Sequence, residues 1–537
     1  MKKLVALLLS LTMCLTCLTA CGGDTNGESS TAPTSSPSAS GDVAQTSGEK
    51  TVVVGIPSTW NTLVPMNPGS AYSLEVAGFI FDMLIRINTD GNGEPRDAES
   101  WEMSDDLSTI TLHLREDSYF HDGEQVTSDD WRFTIELMTS EYGSACVTQD
   151  KYSIITGTEA GGRLAEGETL GIETPDEFTL VVHLKEPMNA DTFFFNYAKM
   201  WFVLPEHLLA DEDPANLVNW DFWQNPVGSG PFTFVSETSG TELTLSAYED
   251  YYYDLDFDTM VYRVVTTDAA LSALMANELD IYYYSWTPDE LLTVEGNENL
   301  HVEELKGATS LHFLTLSNVV FNAQARQAIN LAIDKEMILN AVYGGAGVAS
   351  NTSIRPSSEY CKDSWTGRDV ETAKTLLAES GLDTSKTYIL ATSQGRGEDV
   401  AAIIQQNLAE IGLTIEIATG DTTSVLAGAR DGTYDMCLKN NSSGGSPTWV
   451  VNSELSLATK TVSRVSDPKY DEYAAAINQT TDSNEIMTLS EEFQQYCDEQ
   501  MPFSVLCHTY EYYVLSNRVS NVSVVETTAP WEWVVTD

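Results

Sequence analysis

Residues 110–130 read ITLHLREDSYFHDGEQVTSDD, and this stretch decides the fold. Ile110, Leu112 and Leu114 alternate with Thr111, His113 and Arg115, the two-residue period of a strand with one face buried. Asp122-Gly123 marks a turn, where glycine supplies a positive φ without steric cost. Thr127-x-x-Asp130 has the form of a capping box, which satisfies free N–H groups at a helix start. Trp131, Ile135 and Met138 then fall at i, i+4 and i+7, one apolar face of a helix. Strand, turn and helix follow one another within thirty residues, so α/β architecture is expected.

The surrounding chain bounds the class. Its 537 residues exceed one compact core, so two or three domains are expected. Acidic residues number 80 against 27 basic, a formal charge of −53. Such a field repels phosphate backbones and anionic lipid, which argues against nucleic-acid binding. It reads as a solvated acidic surface rather than as evidence for a cationic substrate. Lys2-Lys3 precede an apolar run, Leu4 to Leu18, that is short for a membrane span. Leu18-Thr19-Ala20-Cys21 resembles a bacterial lipobox, so residues 1–20 read as a signal peptide and Cys21 as a lipidated N-terminus. Residues 21–50 are dominated by Ser, Thr, Gly, Pro and Ala and read as a disordered linker. The expected location is extracytoplasmic, anchored to the cell membrane by lipid. Cys146, Cys361, Cys437, Cys497 and Cys507 remain, an odd number, so at least one stays unpaired within the chain.

Several uncommon residues stand in order in the opening stretch: Leu114-Arg115, Phe120-His121-Asp122-Gly123, Val126-Thr127 and Asp130. Together with Asn225-Pro226-Val227-Gly228-Ser229-Gly230-Pro231-Phe232 and the helix Arg326 to Lys335, they resemble family 5 of the extracellular solute-binding proteins, the oligopeptide, dipeptide and nickel class that feeds ABC importers. Glu94 to Trp101 resembles another family segment, with charged Arg96-Asp97 as a departure. The resemblance implies a two-lobed, type II periplasmic-binding-protein-like α/β fold with a side domain inserted in the first lobe. The implied divisions are 51–87 for lobe I, 88–205 for the side domain and 206–305 for the rest of lobe I. Lobe II takes 306–500, and 501–537 return to lobe I. It also implies a binding subunit that closes over a solute, most simply a peptide, and docks on separate permease and ATPase subunits. No cofactor is implied, and a monomer is expected. Binding of an oligosaccharide or a metal chelate, or a peptide-signal receptor, would share the same pattern.

No catalytic motif is present. The seven histidines are scattered without a paired ligand spacing, so neither an enzyme nor a metal site is expected. Asp254-x-Asp256-x-Asp258 starts like a calcium loop, but Thr259 and Val265 stand where glycine and glutamate are needed. Ser229 sits in a Gly/Pro turn, not a nucleophile elbow. The candidate ligand-binding residues are therefore those near the implied cleft: Trp60, Asn61, Tyr282, Tyr284, Trp286, Asn440, Asn441, Ser446, Trp449, His508 and Tyr510. The aromatic residues among them serve either ligand stacking or hinge packing. Where peptide-binding members carry an aspartate for the ligand ammonium, residues 440–449 (NNSSGGSPTW) hold no acid. An ammonium buried without a counter-charge is costly, which puts recognition of a free peptide N-terminus in question. Lys439 reads as a solvated surface lysine.

Overall fold

The computed structural model describes residues 49–88, 93–238, 240–283, 286, 288–294, 296–442, 445–457, 461–522 and 528–536. Within residues 49–537, which pack as one unit, the opening stretch forms the expected elements. Thr109–Leu114 is a strand with Ile110, Leu112 and Leu114 inside. It lies second in a four-stranded antiparallel sheet, in the order Ala98–Met103, Thr109–Leu114, Thr179–His183, Ile172–Asp176. The helix Ser128–Thr139 starts where the Asp130 carboxylate accepts the Thr127 N–H at 2.9 Å, and it buries Trp131, Ile135 and Met138. Each such large apolar side chain contributes roughly 1.5–3 kcal/mol relative to exposure.

The two family-like turns recognise each other. The His121 N–H donates to the Gly228 carbonyl at 2.8 Å, and the Gly228 N–H donates back to His121 Nδ1 at 3.2 Å. His121 Nε2 donates to the Gly230 carbonyl at 3.0 Å, so the ring is held neutral with its proton on Nε2. Burial pushes the imidazole down to about 4. Gly228 must lack a side chain: a Cβ there would lie 1.9 Å from the Ile80 carbonyl oxygen.

An eleven-stranded sheet carries the rest. Its strands are β1 (Thr51–Ile56), β2 (Phe232–Thr238), β3 (Glu242–Ala247), β4 (Thr259–Val264), β5 (Ile281–Tyr282), β6 (Leu300–Leu316), β7 (Gly347–Ala349), β8 (Thr387–Ser393), β9 (Thr414–Gly420), β10 (Met436–Ser442) and β11 (Phe503–Ser516). The order is β9-β8-β10-β6-β11-β5-β1-β4-β3-β2, with β7 also paired to β11. Parallel pairs (β1 with β4 and β5, β8 with β9 and β10) sit on either side of an antiparallel centre. That centre is the pair β6 and β11, 17 and 14 residues long, which runs from one lobe into the other. β6 begins at Leu300, ahead of residue 306, where lobe II is expected to open. Pairing between the two is interrupted from Glu304 to Thr309, opposite Tyr512 and Tyr510.

The cores divide accordingly. One includes Val52, Val54 and Met260 of lobe I together with Leu112, Trp131 and Phe193 of the side domain. A second lies on one face of the other half-sheet and includes Leu314, Ile329, Leu390 and Ile404. A third lies on the opposite face and includes Phe313, Val450, Tyr470 and Phe493. The resulting fold is the two-lobed arrangement that the sequence resemblance implied. All five described cysteines are free thiols, Cys497 and Cys507 included.

The departure at Arg96-Asp97 proves to be interior. Arg96 pairs with Asp82 at 2.6 Å, both fully buried, and its guanidinium lies 5.3 Å from the Trp531 ring centre. Asp97 accepts the Trp131 indole N–H. The three-aspartate run also has a structural task. Asp258 accepts the Lys50 N–H at 2.7 Å, while Asp256 pairs with Lys50 Nζ at 2.9 Å and accepts the Val535 N–H at 2.8 Å.

Candidate functional site

Trp449 is half-buried and packs against both the lobe I core and the third core. It lies in the segment that follows β10, so one indole bridges the bodies flanking the long strands. Beside it a polar crevice of about 280 Å³ opens between residues 189–192 and the segments 357–360 and 445–448. Asn189, Asp191 and Thr192 of the side domain line one wall, and Ser358, Glu359, Tyr360 and Ser446 line the other. Asp191 is exposed overall, yet loss of part of its hydration raises its carboxyl above the ordinary aspartate value. Hydroxyls and carboxamides of this kind suit hydrogen bonding to a peptide backbone or a polar solute.

The floor under this segment corrects the reading of Lys439. Instead of facing solvent, Lys439 is largely buried and pairs with Glu454, which is 1% exposed. Asn441 Nδ2 donates to the same Glu454 oxygen at 3.0 Å. Glu454 sits on a single π-helical turn, Val451–Leu455, of a kind that often marks functional sites. Residues 440–449 carry no acid, but Glu454 meets Asn441 and is paired with Lys439. Asn441 is half-buried and Asn440 is exposed. Ser446 exchanges a hydrogen bond with Thr448 at 3.1 Å.

The other sequence candidates lie elsewhere. Trp60 is buried and donates to Glu237 at 3.1 Å, whereas its neighbour Asn61 is exposed with a left-handed φ of 63°. Tyr282 is buried, donates to the Val265 carbonyl at 2.9 Å, and packs against buried Trp286. These two rings belong to a core beside the crossing strands that also contains Leu274 and Val514. Tyr283 faces the opposite side, towards Tyr262 and Tyr513. Tyr284 lies outside the described residues, as does Cys21. His508 is fully buried and hydrogen-bonds the Thr352 carbonyl at 2.8 Å; burial lowers its imidazole pKa. Tyr510, half-buried on β11, is held through its N–H by the Ala346 carbonyl. Thus the structure gathers Asn441, Ser446 and Trp449 on one side and places Trp60, Tyr282, Trp286 and His508 in cores.

Sequence reading missed Asn189, Asp191, Thr192 and Glu454. Asn189-x-x-Thr192 has a helix-cap pattern, but nothing local says which surface it meets. Glu75 was missed too. It accepts the Thr528 hydroxyl at 2.6 Å and the Tyr262 hydroxyl, and burial pushes its carboxyl up to about 7. Among the described residues no three His, Cys, Asp or Glu side chains form a metal-ligand cluster, and no helix is long and apolar enough to cross a membrane.

Residues 93–461 match the family of bacterial extracellular solute-binding proteins, family 5 (middle). The chain belongs to this family. Family 5 proteins are extracytoplasmic solute-binding subunits that serve ABC importers. Di/tripeptide-binding protein 1 of Pseudomonas aeruginosa is 24% identical to this family 5 chain, over 83% of it and 86% of the relative. Among solved structures, the ABC transporter substrate-binding protein CtaP of Listeria monocytogenes superposes with a TM-score of 0.77 at 21% identity, covering 91% of this chain and all of that one. The oligopeptide-binding protein AppA of Bacillus subtilis, in complex with a nonapeptide, superposes with a TM-score of 0.70 at 20% identity over 91% of this chain and all of that one.

Proposed function

We propose that this family 5 protein captures a peptide between its lobes and hands it unaltered to the permease of an ABC importer. The observation that carries this reading is the polar crevice beside Trp449, walled by residues 189–192 of the side domain on one side and by lobe II on the other. Binding energy shifts an open–closed equilibrium, and the closed form is what a permease would recognise. The peptide relatives support the cargo class. The hydroxyls and carboxamides of Asn189, Thr192, Ser358 and Ser446 favour recognition through peptide backbone, and the carboxyls of Asp191 and Glu359 in the same crevice suit a ligand ammonium. The chain works as a monomer held at the membrane by lipid on Cys21.

The test is mass spectrometry of the molecules released from the purified full-length protein, followed by calorimetry with those peptides. The Trp449→Ala variant is expected to bind them at least tenfold more weakly while keeping its melting temperature within a few degrees. A released cargo that is not peptidic, or hydrolysis of the captured peptide, refutes the reading. Mass spectrometry of the N-terminus checks the anchor: acyl mass should be present and should vanish in Cys21→Ala.

A further inference from the structure

The seam between the side domain and lobe II is closed by a small set of hydrogen bonds centred on one carboxamide. Asn189 precedes the helix Ala190–Asn196, and its Oδ1 accepts the Thr192 N–H at 2.9 Å as an N-cap. Its Nδ2 donates in the other direction, to the carbonyls of Ile477 at 3.2 Å and Thr480 at 3.1 Å. The Asn189 backbone N–H donates to the Asn478 carbonyl at 2.7 Å, and Thr192 Oγ1 donates to Asn478 Oδ1 at 2.9 Å. The acceptors stand at the C-terminal end of the helix Lys469–Asn478, where carbonyls have no donor within their own helix. Asn189 is only 7% exposed, so the exchange takes place away from bulk water.

The two sides of this seam belong to different cores. Met188 and Phe193 pack in the core of lobe I and the side domain, whereas Tyr470 and Ala474 pack in the third core. We propose that Asn189 is a two-sided latch, capping its own helix and the facing helix of lobe II at once, so that the closed form is favoured before any cargo arrives. The inference rests on the reading of a protein whose lobes separate. Opening breaks four hydrogen bonds together and returns three carbonyls to water. All four run between protein groups, so the latch acts on the empty chain, although Asn189 and Thr192 also line the crevice. It also reduces the penalty that a ligand meets when its binding-competent form is scarce.

The seam carries its own reporter. Among the described residues the Asn189 amide proton is held only by the Asn478 carbonyl across it, so its hydrogen exchange measures opening. Exchange is followed by mass spectrometry on the full chain with no ligand added. Asn189→Asp keeps an acceptor for the cap but loses both donors and sets a negative charge against carbonyl oxygens. Asn189→Ser keeps the cap with a side chain too short to reach, and Thr192→Val removes the remaining side-chain bond. Exchange at residue 189 should quicken about tenfold or more in Asn189→Asp and Asn189→Ser, and less in Thr192→Val, while amides of the helix Val370–Ser380 exchange as before. Wild-type rates in all three variants overturn the latch and leave lobe motion standing. Exchange of the wild-type Asn189 amide as slow as that of the strand Thr109–Leu114 means that the lobes do not separate, which overturns the latch and the proposed function together.

Discussion

Asp97 offers a sharp test of how burial governs this fold. It is fully buried, and loss of hydration, with the Asp82 charge as the next contribution, pushes its carboxyl from the ordinary value of 3.8 up to about 7. The hydrogen bond from Trp131 opposes that rise without cancelling it. The folded chain therefore holds a proton that the unfolded chain gives up. This contribution to stability is fully present below about pH 4 and is lost as pH rises through about 7. The displacement corresponds to about 4 kcal/mol between those limits. An asparagine side chain at this position cannot ionise, and its carboxamide oxygen still accepts the Trp131 N–H. Asp97→Asn should thus be more stable than wild type at pH 8, by an amount on the order of 4 kcal/mol, with the difference shrinking towards zero at pH 4. Denaturant unfolding followed by tryptophan fluorescence at pH 4, 6 and 8 supplies the comparison. Taking the difference between the two proteins removes the background titration of the other carboxylates. Parallel stability curves across that range would refute the argument.

The Lys439–Glu454 pair should behave as a buried ion pair. Glu454→Leu strands an ammonium and is expected to cost about 3 kcal/mol, whereas Lys439→Met with Glu454→Met together should recover most of it, as thermal unfolding will show. At His121, burial depresses the imidazole to about 4, so its share of stability is complete above about pH 6.5 and is lost as pH falls through about 4. Ring-proton NMR should find its midpoint near 4, and a midpoint near 6.5 would show that the turn contacts with Gly228 and Gly230 do not form. Gly228→Ala places a methyl 1.9 Å from the Ile80 carbonyl oxygen and should destabilise by about 3 kcal/mol, at the upper end of overpacking costs, read as a lowered melting temperature.

What the sequence discloses follows from where each interaction is made. The Phe-His-Asp-Gly turn and the Gly-Ser-Gly turn were legible because they are bound to specific residue types: His121 needs two ring nitrogens, and Gly228 needs no Cβ. Alternation at Ile110, Leu112 and Leu114 likewise maps directly onto burial. The cleft was less legible because aromatic side chains look alike in sequence whether they line a groove or fill a core. Tyr282 and His508 fill cores, and Trp449 reaches the seam. Lys439 and Glu454 stand 15 residues apart and meet only because a π-helical turn folds back under the strand. The partners of Asn189 lie nearly 300 positions downstream, at a helix end that no local pattern connects to it.

The bonds at Lys50 have a mechanical consequence. Before the chain enters β1, near the middle of the lobe I half of the sheet, its backbone and ammonium are fastened to Asp258, Asp256 and the Val535 carbonyl. A pull applied from upstream of Lys50 is therefore taken up by this clasp and shared with Val535 before it can strip β1 from its neighbours. A chain pulled from that side then keeps the pairing of its sheet, much as a cable gland spares the solder joint behind it.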